Sequence, residues 1–387
     1  MSLKNIILLA IVAIIDISSI AQTTIAVNGV YYHLNPDGTA KVTYKPGERD
    51  SGGSYSGDVI ILPSVSNNGK TYKVTAIGEY AFYLCENLRN VNIPNRITSI
   101  EADAFAKSNI RNLTIPESVD QIGKYAFFNC KGLVEIIIPE GVKIIEGGTF
   151  KNCKYLQKII IPQSVTIIDY QAFWGCESLS NVVIPDEVDS IGEWAFFRCR
   201  NIERITLPNS AKKIGEAAFS LSGITHPVYN ASVFAYLPPS FESYTVSEGI
   251  EIIAPGAFSN CYKITDITLP ESLKIIGDRA FGNTDYWIEE ARYGNGCVKL
   301  LSINLPNNVN IIGNSAFDGC SSLKSINIPN SVSEIGKKAF RRCPSLISIE
   351  VPNSVKKIGY NAFDGLPYII YSGSASGAPW GAKAVCQ

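Results

Sequence analysis

Twelve phenylalanines beat through the chain at a nearly constant interval: Phe82, Phe105, Phe127, Phe150, Phe173, Phe196, Phe219, Phe258, Phe281, Phe317, Phe340 and Phe363. Eight of the steps are 23 residues, one is 22, and two are stretched to 39 and 36. A fixed period of roughly 20–50 residues is the mark of stacked repeats. In such a stack each unit contacts only its neighbours, so one core lengthens without limit. The 387 residues therefore need not divide into several globular domains, as length alone suggests.

Within a repeat, Leu323-Lys324-Ser325-Ile326-Asn327-Ile328-Pro329 carries the L-x-x-L-x-L spacing of a solenoid strand. Ile326 and Ile328 alternate inward with Asn327 outward, and Pro329 ends the strand because it has no N–H to give a ladder. The return half runs through Val332, Ile335, Gly336, Ala339, Phe340 and Cys343. Gly336 is expected to permit a turn that a Cβ would resist, and Ala339-Phe340 to form a short helical turn. The reading is an α/β leucine-rich repeat solenoid, β-dominated, of about twelve coils. Short helical or 3-10 turns are expected on the return side, with β-hairpin capping segments at the ends.

Eight cysteines sit three residues after a repeat phenylalanine: Cys85, Cys130, Cys153, Cys176, Cys199, Cys261, Cys320 and Cys343. Ser108, Ser222, Thr284 and Leu366 fill the same slot elsewhere. A slot open to Cys, Ser, Thr and Leu asks for a modest buried side chain, so these are expected to be reduced thiols packed as small hydrophobes. Cys297 and Cys386 fall outside this ladder and are the two to examine for disulfides.

The ends differ from the repeats. Lys4, the apolar run Ile6–Ile15 and Ser19-Ile20-Ala21 have the layout of a secretory signal peptide over residues 1–21, cleaved near Ala21. That run is too short to span a bilayer, and no long apolar segment follows. The mature chain is expected to lack an integral membrane segment and to be secreted or displayed on the cell surface. Residues 22–62 read as an N-terminal β cap, with turns at Asn28-Gly29 and Asp37-Gly38. The solenoid is placed at 63–366 and a C-terminal cap at 367–387.

Little here resembles chemistry. The 34 basic and 35 acidic residues are interspersed, which excludes the basic footprint of a nucleic-acid binder. The only histidines, His33 and His226, lie in the cap and in the first stretched step. No metal or phosphate motif occurs, so no catalytic residue, cofactor or metal ligand is assigned. Two sequons, Asn112-Leu113-Thr114 and Asn230-Ala231-Ser232, are present.

Binding signals lie in what varies between repeats. Most outward strand positions are polar (Asn92, Thr114, Thr206, Thr268, Asn304, Asn327, Glu350), but Ile137, Ile160 and Val183 are not. Stacked coils would make these three one apolar stripe, bordered by Glu135 and Lys158 and by Asn181. Strand propensity, or cover by an insertion, would also explain them. The stretched steps hold inserts near 226–244, with Tyr236 and Phe241, and near 285–297, with Tyr286 and Trp287. Each is read either as a binding loop or as a degenerate repeat or lid.

The unit I-P-x-x-V-x-x-I-G-x-x-A-F-x-x-C-x-x-L-x-x-I-x-I-P resembles the BspA-like (Treponema pallidum-type) leucine-rich repeat, and IPNSVSEIGKKAFRRCPSLISIEVP (328–352) fits nearly every position. The resemblance implies an exported, non-enzymatic binding module or adhesin. Its expected ligand is a protein of host matrix, host cell or another microbe, met through the concave face and inserted loops. An exported structural or glycan-binding accessory protein of the cell envelope is the alternative, so a glycan is the second ligand class.

Overall fold

The structure is a computed structural model that describes residues 23–111, 113–283 and 296–386. Each coil contributes to parallel ladders that run along the solenoid. In the first, Glu135–Ile137 pairs in parallel with Lys158–Ile160, setting Ile136 against Ile159 and Ile137 against Ile160. The period of two turns Ile136 and Ile159 into the core and leaves Ile137 and Ile160 outside. The second ladder is built from two-residue strands, such as Ile167–Ile168 beside Ser190–Ile191 beside Lys213–Ile214. Between the two ladders the chain must turn, and a serine fastens that turn to the coil before it. Ser164, Ser210 and Ser331 donate to the carbonyls of Val142, Val188 and Val309 at 2.8, 2.6 and 2.6 Å. These bonds give the serine at this turn a structural role in the coils that carry them.

The return side holds no helix among the described residues, contrary to the expectation of helical or 3-10 turns. The reason lies in backbone sign. The residue two before each repeat phenylalanine is left-handed, and so is the residue two after most of them, as at Tyr125 (φ 56) and Asn129 (φ 54) around Phe127, or Lys338 (φ 55) and Arg342 (φ 58) around Phe340. A right-handed helix cannot run through such alternation. Instead the coil makes consecutive tight turns, with the N–H groups of Ala126, Phe128 and Cys130 donating to the carbonyls three residues back. The N–H groups between them, on Tyr125, Phe127 and Asn129, donate to Gly147, Thr149 and Lys151 of the next coil. Every N–H in the segment thus finds an acceptor, which offsets the cost of the left-handed residues. Gly336 is not among the left-handed residues. Its role is close approach, since a Cβ there would lie 2.5 Å from the Asn314 nitrogen of the preceding coil.

Phenylalanine rings stack face to face down the core, with centroids 4.8 Å apart at Phe82–Phe105 and 5.8 Å at Phe340–Phe363. The thiols lie beside them. Cys153 Sγ donates to the Phe127 carbonyl at 3.0 Å, and Cys199 to that of Phe173 at 3.1 Å. Nine of the ten cysteines are buried and all are free. Cys297 belongs with the ladder after all: it is buried and points at the Phe258 carbonyl, 3.5 Å away. It takes the slot that spacing gave to Thr284, because the extra residues of the long step lie between Phe281 and Cys297. Cys386 is exposed, on an end strand.

The first stretched step has a different origin. Thr225 bonds back to Glu203, and Thr265 bonds back to Glu242, so 225–242 is one shortened coil. It supplies Val228–Tyr229 and Val233–Tyr236, the latter pairing in parallel with Ile252–Ile253. The usual return is replaced by Leu237-Pro238-Pro239-Ser240. Its Phe234 stacks on Phe258 at 5.0 Å. The degenerate-repeat reading therefore holds for this insert.

Both ends extend the ladders. The strands Thr23–Val27, Val30–Leu34 and Thr39–Thr43 form an antiparallel meander whose last strand pairs in parallel with Lys70–Ile77. Gly57–Ile60 starts the first ladder against Leu88–Asn92, and Tyr55 lays its ring on Phe82 at 4.8 Å. At the other end Tyr368–Ile370 and Ala384–Cys386 continue the first ladder. Trp380 is buried against Tyr371, and its carbonyl accepts the Phe363 N–H.

Candidate binding face

The outer surface of the first ladder carries side chains that differ between coils, from Asn92 and Thr206 to Ile137 and Val183. Strand pairing sets Ile137 beside Ile160, and a parallel bridge between Lys158 and Asn181 carries the same register on to Val183. The three side chains are 52%, 43% and 78% exposed. The structure brings them into one stripe. Along one border Lys158 Nζ meets Glu135 Oε1 at 2.6 Å, with Asn181 next in line. Along the other, after the strand-ending prolines, stand the exposed residues Glu140, Gln163 and Asp186. An exposed ion pair of this kind contributes about 0–1 kcal/mol to stability. Its consequence is a charged rim beside an apolar strip.

Other candidate residues fare differently. Tyr236 is only 3% exposed, a correction to its reading as a contact residue. Its strand completes the shortened coil, so the ring belongs to the core. Phe241 is half-buried, edge-on to Tyr244 at 5.7 Å, and Tyr244 in turn packs on Phe234. Tyr286 and Trp287 lie outside the described residues. Asn230 is buried, and its amide is spent: it donates to the carbonyls of Pro208 and Ala211 and accepts from the N–H groups of Ser232 and Val233. A glycan at that sequon is incompatible with the folded coil.

Sequence spacing missed Ile60, which is exposed in the same outward column, because the first ladder begins inside the segment read as cap. It stands apart from the stripe, since Asn92 and the Thr114 position intervene.

The two histidines lie in separate parts of the structure. His33 lies in the N-terminal meander, and His226 sits in the shortened coil, 3.0 Å from Arg204 and bonded to Thr225. No group of three or more His, Cys, Asp or Glu among the described residues is placed to hold a metal ion. Burial pushes the thiols upward, Cys85 to about 11 and Cys343 to about 12, and Cys153 well above the ordinary thiol range. Protonated thiols facing a phenylalanine core are poor nucleophiles. No helix among the described residues is long and apolar enough to cross a membrane.

The ladders, ring stack and variable outer face define a leucine-rich repeat solenoid. The sequence profile of the BspA type leucine-rich repeat region matches residues 65–180, 166–242, 229–292 and 287–372, and the chain belongs to that family. Among solved structures, a leucine-rich repeat protein from Bacteroides ovatus is similar at 24% identity over 87% of this chain and 99% of its own, with a TM-score of 0.51. A leucine-rich cell surface protein from Faecalibacterium prausnitzii is 24% identical over 87% of this chain and 94% of its own, with a TM-score of 0.49. The leucine-rich repeat protein of T. pallidum is 22% identical over 72% of this chain and 91% of its own, at 0.30. Comparison with curated proteins finds no match.

Proposed function

We propose that the chain is an exported, non-enzymatic binding module that recognises a protein partner, in the manner of an adhesin, through the outer face of its first ladder. The single observation that carries this reading is the register of Ile137, Ile160 and Val183. Three aliphatic side chains held in the open on a rigid ladder, with charge on both borders, have the composition of an interaction patch. Secretion or surface display fits the N-terminal layout of Lys4, Ile6–Ile15 and Ala21. The inward position of the recurring pattern residues also fits, because Phe, Gly and Cys build the scaffold and leave recognition to the outward positions.

The test is replacement of Ile137, Ile160 and Val183 with threonine, with binding measured on a panel of immobilised extracellular-matrix proteins. The variant should fold as the parent and lose binding on the order of 100-fold, by loss of apolar contact area. Unchanged binding by a folded variant would falsify the site.

A further inference from the structure

The second half of the same face carries no apolar stripe. Between the strands Ser302–Asn304, Ser325–Asn327, Ser348–Glu350 and Tyr368–Ile370 lies a groove of about 850 Å³. Its walls repeat with the coils. Asn304, Asn327 and then Glu350 succeed one another on the strands, while Asn307, Asn330 and Asn353 do so after the strand-ending prolines. All six are exposed, and their side chains make no hydrogen bond with any described residue. On the first half of the face, Glu135 and Lys158 satisfy each other. Here a lattice of amides is left open, each offering one acceptor and two donors. Tyr368, exposed and in register with Ser348, stands on the same outward side of its strand as Ile370, which lines the groove.

We infer that this groove binds a neutral oligosaccharide. Such a ligand presents hydroxyls that both donate and accept, which is what amides and a carboxylate recognise together. Its C–H faces are apolar and lie against an aromatic ring such as Tyr368. No Lys or Arg lines the groove, so it lacks the cations that a sulfated or phosphorylated ligand requires. The lining offers one partly buried and one exposed isoleucine and no exposed Trp, Arg or Met, so it lacks the anchors that dominate protein interfaces. Ser354 supports the assignment. Its hydroxyl is buried in the groove wall without a partner, whereas the matching Ser331 bonds to Val309. The site is independent of the stripe at Ile137.

The intact chain is applied to a printed array of neutral, sialylated and sulfated oligosaccharides, and the best neutral probe is titrated by calorimetry. Expected is binding to a neutral oligosaccharide that weakens at least about tenfold in Asn327→Ala/Asn330→Ala and in Tyr368→Ala, through lost hydrogen bonds and stacking. Ile137→Thr should leave it unchanged, and circular dichroism should find each variant folded. Glu350→Gln, which keeps shape and one acceptor, should weaken it less. Retention of no neutral oligosaccharide, preference for charged glycans, capture only of immobilised matrix protein, or equal affinity in the Asn327→Ala/Asn330→Ala variant would each overturn the inference.

Discussion

From Phe82 to Phe219 the core is one run of stacked rings, and from Phe234 to Phe363 it is another. The coils in the two runs obey the same repeat, yet their outer faces differ. The first presents Ile137, Ile160 and Val183 beside an ion pair, and the second presents unpaired amides. Between them stands the shortened coil, where ladder pairing lapses: Lys213–Ile214 ends one sheet and Val228–Tyr229 begins the next. What joins the halves is specific. Asn230 bonds to two carbonyls of the coil before it, and Arg279 reaches Glu216 at 2.8 Å across the gap. A solenoid's stability is a sum of coil and neighbour terms. Repetition fixes the scaffold on both sides of such a joint, while the outward positions are free to diverge.

The strongest way to break this comparison is to remove a ring from one run. Phe173→Ala and Phe317→Ala should each cost about 3–5 kcal/mol. Hydrogen exchange followed by mass spectrometry should find protection lost chiefly in the half that carries the change. Equal loss across both halves would mean that the joint transmits stability as a regular coil does. A milder cut falls on the joint itself. Asn230→Ala strips partners from buried backbone groups and should cost about 1–3 kcal/mol. It should also split urea unfolding into two steps, seen separately by Trp174 and Trp194 in the first half and Trp380 in the second.

The thiols sharpen the comparison by pH. Cys85 in the first run and Cys343 in the second are raised by burial to about 11 and about 12, from an ordinary 9.0. A group that holds its proton more tightly when folded gives stability fully present below the unfolded value. That stability is lost as pH rises through the folded value, so melting temperature should fall from pH 9 towards 12. Cys85→Ser and Cys343→Ser should each flatten that fall, while Cys386→Ser, at an exposed site, should not. The smallest effect on stability belongs to the Ile137, Ile160 and Val183 threonine variant. Exposed strand positions accept a β-branched residue within about 0.5 kcal/mol, so its melting curve should overlay the parent's although binding is lost.

The stripe was legible because strand alternation is local: once Ile136 and Ile159 point inward, Ile137 and Ile160 must point out. Tyr236 was misread because an interval of 39 residues hides a whole coil. Its bonding partners are set by the coils on either side, not by its own neighbours in sequence. The amide groove went unnoticed for another reason. Asn304, Asn327 and Asn330 look like ordinary solvated residues until the structure puts them in one place, with none of their side chains bonded to another described residue.

By itself the sequence determined the repeat, the ring stack and the inward thiols, since a period of 23 with Phe, Gly and Ala in fixed slots has one economical way to bury its apolar groups. Only the tertiary structure decided that the return side is a chain of tight turns. Left-handed residues such as Tyr125 and Lys338 are stabilised by bonds to the next coil that no local propensity encodes. It likewise decided that Cys297 fills the ladder slot and that 225–242 is a coil. Position within a stack is fixed by what lies above and below, and those neighbours are a full turn away in sequence.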